Sequence, residues 1–221
     1  MFMGLPYQGK TTAAHTLIQI LGHHPVYRDR ELGYISTDCC RSELRKWYGT
    51  DAPYAYSEIE ERDTWDLFLH KMRSFLAVAP PDSILILDGT FTNWLKVTDI
   101  LDALMLNIDA YASQRLPLIV DMVHIGSQYG EDVWRPTELN LAANPKVAAR
   151  WAQRCLENQK AGLTPEIPES VFKKKFLEMQ ATMQLLVSIC KKYTKDYHGC
   201  VYFARHFLNH HPRKFDIKKI I

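Results

Sequence analysis

The segment GLPYQGKT at residues 4–11 constrains this chain more than any other. It fits the pattern GxxxxGK[ST], in which glycines let backbone amides curl around a phosphate, a lysine ammonium reaches the outer phosphate oxygens, and a hydroxyl takes a place on Mg²⁺. The pattern has meaning only between a strand and a helix. Here the apolar run MFM precedes Gly4, and TTAAHTLIQIL, with apolar residues three and four apart, follows Lys10. Gly4, Leu5, Pro6, Tyr7, Gln8, Gly9, Lys10, Thr11 and Thr12 are therefore expected to wrap a nucleoside triphosphate. A first strand of at most three residues is the oddity of this reading. It costs sheet hydrogen bonds but leaves the loop intact.

Short apolar runs at 1–3, 33–37, 83–88, 116–125 and 200–207 alternate with helical patterns at 11–21, 57–78 and 94–114. Near-continuous aliphatic runs suit strands covered on both faces, so the expected fold is α/β, in three layers, with a mostly parallel five-stranded sheet. At 221 residues, 47% hydrophobic and 24% charged, a single domain over 1–221 is expected. Residues 144–179 read differently. Asn144 and Pro145 open a helix that ends near Gly162, and a second begins around Pro168 and Glu169. This segment is expected to be a helical lid, with Arg150 and Arg154 on one helical face.

A formal charge of +2 with nine His neither demands nor excludes a nucleic-acid partner. Five Cys without regular spacing, and no secretory signal, point to a reducing cytoplasm. No CxxC or Cys/His cluster stands at metal-ligand spacing, and no run approaches the roughly 18 apolar residues of a membrane helix. Nothing in the sequence signals a membrane or a protein partner.

Two further segments can complete a phosphate site. SILILDGTF ends a buried strand on Asp88, where a carboxylate can hold Mg²⁺ with Thr11; an Asp that only caps the following helix is the plainer alternative. GYISTDCCRSELR sets Asp38 directly after a strand with Arg41 three residues on. The carboxylate can take a proton from an attacking hydroxyl while the guanidinium clamps an anionic substrate or steadies the carboxylate. Alternatively Asp38 is an N-cap and Arg41 lies on a solvated helix face. Parallel sheets gather ligands at the carboxyl ends of their strands, so Lys10, Asp38 and Asp88 are expected to converge. Arg150 or Arg154 could close over a transferring phosphoryl group, or be an ordinary surface arginine. The block at 127–140, with Tyr129, Trp134 and Arg135, could stack on a ring or lie as a packed surface loop.

The succession GLPYQGKTT, STDCCR, ILDGTF, NPKVAARWAQR and GLTPEIPESVFKKKF resembles the zeta-toxin and polynucleotide 5′-hydroxyl kinase branch of P-loop kinases, from Gly4 to about Phe176. That resemblance implies a P-loop NTPase fold and ATP- and Mg²⁺-dependent transfer of the γ-phosphoryl group to a hydroxyl. The acceptor would be a small metabolite, a nucleotide sugar or a nucleic-acid 5′ end. It implies Asp38 as general base, Arg41 and Thr90 at the substrate, Thr11 and Asp88 at the metal, and Arg150 or Arg154 facing the phosphates. The loop is also similar to the GLPxxGKT of 6-phosphofructo-2-kinases, with Asp88-Gly89-Thr90-Phe91 set against D-A-T-N, which implies a sugar-phosphate acceptor instead. A nucleotide-binding NTPase module acting through a partner is the alternative of another class.

Overall fold

Aliphatic side chains of alternating direction build a sheet with apolar cover on both faces. The computed structural model describes residues 1–4, 9–49, 57–105, 118–127, 169–196 and 200–209, together with positions 149, 152, 153, 156 and 160. The strands are β1 (Phe2–Met3), β2 (Leu32–Ser36), β3 (Ile84–Asp88), β4 (Leu118–Ser127) and β5 (Cys200–Asn209). They stand in the order β2-β3-β1-β4-β5, and every neighbouring pair is parallel. The expected α/β architecture with a parallel sheet is thus present. β4 and β5 run beyond their apolar stretches because each completes the other's ladder, from Leu118 beside Cys200 to Ser127 beside Asn209.

β1 is only two residues long yet lies at the centre. Phe2 is in register with Asp88 on one side and Val123 on the other. Main-chain bonds secure it: Val123 N–H donates to the Met1 carbonyl at 2.8 Å, and Gly4 N–H donates to the Thr90 carbonyl at 3.2 Å. A short strand flanked on both sides holds the start of the glycine segment as firmly as a longer one at an edge could.

The helices are α1 (Lys10–His23), α2 (Thr37–Trp47), α3 (Glu58–Val78), α4 (Trp94–Met105) and α5 (Glu169–Asp196). α1 covers one face, where Phe2, Ala13, Ala14, Leu21, Ile86 and Val123 form one buried cluster. The other face carries the larger core. There Met3, Ile35 and Leu87 of the sheet meet Phe68 and Met72 of α3, Ile100 and Leu101 of α4, and Met179 and Leu186 of α5. Neighbours in a strand serve opposite faces, as Phe2 and Met3 or Ile86 and Leu87 do.

α2 follows β2 without a loop. Ser36 closes the strand and caps the helix, its hydroxyl accepting from the N–H groups of Asp38 at 3.2 Å and Cys39 at 3.4 Å. α5 begins where the second helix of the expected lid segment begins and continues for 28 residues. Met179, Thr182, Leu186 and Tyr193 are buried along one stripe at helical spacing, against α4 and β5. The Thr182 hydroxyl donates to the Thr92 carbonyl at 2.6 Å, and the Thr92 hydroxyl donates to Glu178 at 3.1 Å. These bonds fasten α5 to the segment that follows β3. Of the earlier part of the expected lid, only positions 149, 152, 153, 156 and 160 are described, all helical.

Ala13 and Ala14 are fully buried beneath α1, so the helix rides close to the sheet. Ala14→Leu is expected to destabilise the protein by roughly 1–3 kcal/mol through overpacking, read as a lower urea midpoint with an unchanged slope.

Candidate functional site

The carboxyl ends of β1, β2 and β3 open onto one rim, and each is followed at once by residues that carry chemistry. After β1, Gly4 (φ 146°) and Gly9 (φ 89°) adopt backbone conformations that side-chain-bearing residues rarely take. Gly9 is also the N-cap of α1, so the helix starts at Lys10 with its first amides turned toward the rim. Thr11 and Thr12 follow in the first turn. Leu5, Pro6, Tyr7 and Gln8 lie outside the described residues.

Lys10 is 8% exposed. Burial lowers its pKa to about 8, while the carboxylates of Asp88 and Asp38 pull it back up and Lys175 presses it further down. One ammonium therefore lies in the fields of both carboxylates and of a cation on α5. Asp88, 2% exposed at the end of β3, accepts on the same oxygen from two hydroxyls: Thr11 Oγ1 at 2.7 Å and Tyr34 at 2.9 Å. The Tyr34 pKa is raised, by burial first and then by the Asp88 charge, so the phenol stays protonated and donates. Tyr34 was not singled out from the sequence. Its one signal was its place on a strand that ends beside Asp88.

The oxygens of Thr11 and Asp88 are hard donors at one point on the rim. Among the described residues no group of three or more His, Cys, Asp or Glu gathers. Such a sparse donor set fits Mg²⁺, which keeps several waters and relies on one or two protein oxygens plus substrate phosphates.

Asp38 stands in the first turn of α2, not at its cap, with a side chain 81% exposed. It accepts from Arg41 Nη1 at 2.6 Å. Arg41 also donates through Nε at 3.0 Å and Nη2 at 2.6 Å to a single oxygen of Glu61. Glu61 lies on α3, and sequence reasoning missed it because an acidic residue in a helix's first turn looks like ordinary dipole compensation. Its effect is to anchor Arg41 from behind while Arg41 holds Asp38.

Gly89 could not be another residue. A Cβ there would lie 2.8 Å from the Phe91 ring and 3.0 Å from Thr37 Cγ2. Phe91 has a positive φ of 41°, a strained position for an aromatic residue, and its buried ring is tilted against Phe68 and set edge-on to Trp65. The tight Asp88-Gly89-Thr90-Phe91 turn thus places Thr90 on the wall of a cavity of about 170 Å³. Arg41, Lys96 and Lys175 share that wall. Arg150, Arg154 and the 128–140 block lie outside the described residues.

No protein-family model matches this chain, and a search of curated proteins finds no match. No helix among the described residues is long and apolar enough to cross a membrane.

The depressed Lys10 pKa makes stability depend on pH with a definite sign. Between about pH 8 and 10.5 the unfolded chain binds the lysine proton and the native one does not, so native stability rises with pH across that window. Relative to Lys10→Met, the wild type is expected to gain on the order of 3 kcal/mol in unfolding free energy from pH 7 to 10.5. Urea unfolding of both proteins across that range measures it, and parallel pH curves would contradict the buried ammonium.

Proposed function

We propose that this chain is an ATP- and Mg²⁺-dependent kinase of the P-loop NTPase fold that transfers the γ-phosphoryl group to a hydroxyl acceptor. The observation that carries the reading is the buried Lys10 ammonium lying in the fields of both Asp88 and Asp38, immediately after glycines held at positive φ. Burial of the ammonium costs stability even with both carboxylates near, and a polyphosphate would add negative charge that lowers the cost. The parallel strand order with β1 between β3 and β4 supports the same reading, because it sets the start of the glycine segment beside the strand that ends on Asp88, with β2, which leads to Asp38, next beyond it.

The roles follow from reach and chemistry. Lys10 and the amides at the start of α1 take the phosphate oxygens. Thr11 and Asp88 are the residues that would hold Mg²⁺, which neutralises charge on the β- and γ-phosphates when bound. Asp38 accepts the proton of the attacking hydroxyl, and Arg41, anchored by Glu61, fixes the direction in which that carboxylate points. Against a nucleotide-dependent module that only hydrolyses, the Asp38–Arg41–Glu61 chain is a device for positioning an acceptor beside the phosphates.

Two variants separate the roles. Asp38→Asn is expected to suppress phosphoryl transfer by a factor of about 10² or more while leaving ATP affinity within a few-fold. Lys10→Ala is expected to weaken ATP binding or abolish transfer at saturating acceptor. Label from γ-³²P-ATP is followed into nucleotide sugars, sugar phosphates and 5′-hydroxyl oligonucleotides, against a control without acceptor. Label released only as inorganic phosphate, at the same rate in every sample, would replace the kinase with a hydrolase.

A further inference from the structure

Tyr34 takes none of the roles above, yet its hydroxyl reaches the most deeply buried carboxylate of the rim. On β2 it stands in register with Ile86, two residues before Asp88 on β3 and therefore on the same face of the sheet, the one that α1 covers. Its ring packs against the apolar cluster of that face and lies 5.1 Å from the ring of His15 on α1. The length of the phenol spans what remains. Its hydroxyl donates to Asp88 Oδ2 at 2.9 Å, on the oxygen that also accepts from Thr11 at 2.7 Å.

Packing at this position asks only for a ring, and a phenylalanine would supply it; the hydroxyl bonds to Asp88. The terminal torsion of an aspartate is broad and two-fold, so a single hydrogen bond leaves the carboxylate free to pivot about it. Two donors on one oxygen remove that freedom, the more so because one comes from α1 and the other from β2, two elements with no common motion of their own. They settle which oxygen of Asp88 faces the first turn of α1, while Oδ1 takes neither hydroxyl. Ser36, two residues beyond Tyr34, caps α2, so the strand that brings the phenol to Asp88 also launches the helix that carries Asp38.

We propose that Tyr34 is a positioning residue: together with Thr11 it clamps the Asp88 carboxylate in the orientation that holds Mg²⁺ when a nucleotide binds. The part that concerns the metal rests on the kinase reading; the clamp on the carboxylate does not. A phenol that served packing alone would contribute to stability in the same way whatever stood at position 88, and its loss would weaken nucleotide binding equally with and without the ion.

Two measurements test the two parts. Urea unfolding of the wild type, Tyr34→Phe, Asp88→Asn and the double variant, all without nucleotide, reads the clamp as a double-mutant cycle. Tyr34→Phe keeps the ring in place, so it should fold. It is expected to raise the unfolding equilibrium constant about tenfold in the wild-type background and about threefold or less in the Asp88→Asn background, because a hydrogen bond to an ionised acceptor is stronger than one to an amide. Equal factors in the two backgrounds would mean that the phenol acts on something other than the carboxylate, and would overturn the proposal. Calorimetric titration with ADP, in the presence and absence of Mg²⁺, reads the metal. Without the ion, Tyr34→Phe should bind ADP within about twofold of the wild type; with it, the variant should bind about fivefold or more weaker. Mn²⁺ titrated into the ADP complex and followed by its paramagnetic resonance should half-saturate the variant at about fivefold or more higher concentration. A Mg²⁺ effect unchanged by the substitution, or a loss of the same size with and without the ion, overturns the metal role. If the wild type binds no ADP while the unfolding factors still differ, the clamp stands and the kinase reading does not.

Discussion

Lys10 and Asp88 put a positive and a negative charge where little water reaches either, and most of the rim is arranged around that fact. Asp88 accepts two hydroxyl bonds on one oxygen, and Lys10 answers its charge from the start of α1. Removing Asp88 would leave the Lys10 ammonium, which burial already disfavours, without the carboxylate that most raises its proton affinity. The two residues are far apart in sequence and meet only because β1, two residues long, is clamped between β3 and β4. The register of Phe2 against Asp88 therefore sets where the start of the glycine segment stands relative to that carboxylate.

A second chain of charges runs outward from that pair. Glu61 engages Arg41, Arg41 engages Asp38, and Asp38 lies within the field of Lys10. Its outer members are partly exposed, so each link by itself contributes little stability. Their value is directional. An exposed aspartate left alone samples many rotamers, whereas one tied to a guanidinium that is tied in turn to α3 has few choices. Movement of α3 relative to α2 would be felt at Asp38, and the Lys71–Glu43 pair ties the same two helices farther along.

Much of this was legible in the sequence because local rules and fold position agreed. The GxxxxGK[ST] spacing fixed where α1 begins, and strand-terminal carboxylates identified Asp88 and Asp38 because a parallel sheet leaves its strand ends nowhere else to point. Asp38 proved to be a first-turn residue, since Ser36, still within the strand, reaches forward to cap α2. The partners of the key residues were less legible. Tyr34 and Glu61 reach their partners across 20 or more residues of chain, and periodicity carries no information on such pairs. The cavity was illegible for the same reason: Lys96 lies on α4, and Lys174 and Lys175 lie in the segment expected to be a lid, and nothing in the sequence sets these two helices against one another.

α5 shows how a helix can serve both core and site. Its buried stripe of Met179, Leu186 and Tyr193 belongs to the packing of the sheet face, while Lys174, Lys175 and Glu178 in its first turns face the cavity. The Thr182 and Glu178 bonds to Thr92 lie where these two functions meet, and they couple the height of α5 to the turn that carries Asp88, Gly89 and Thr90.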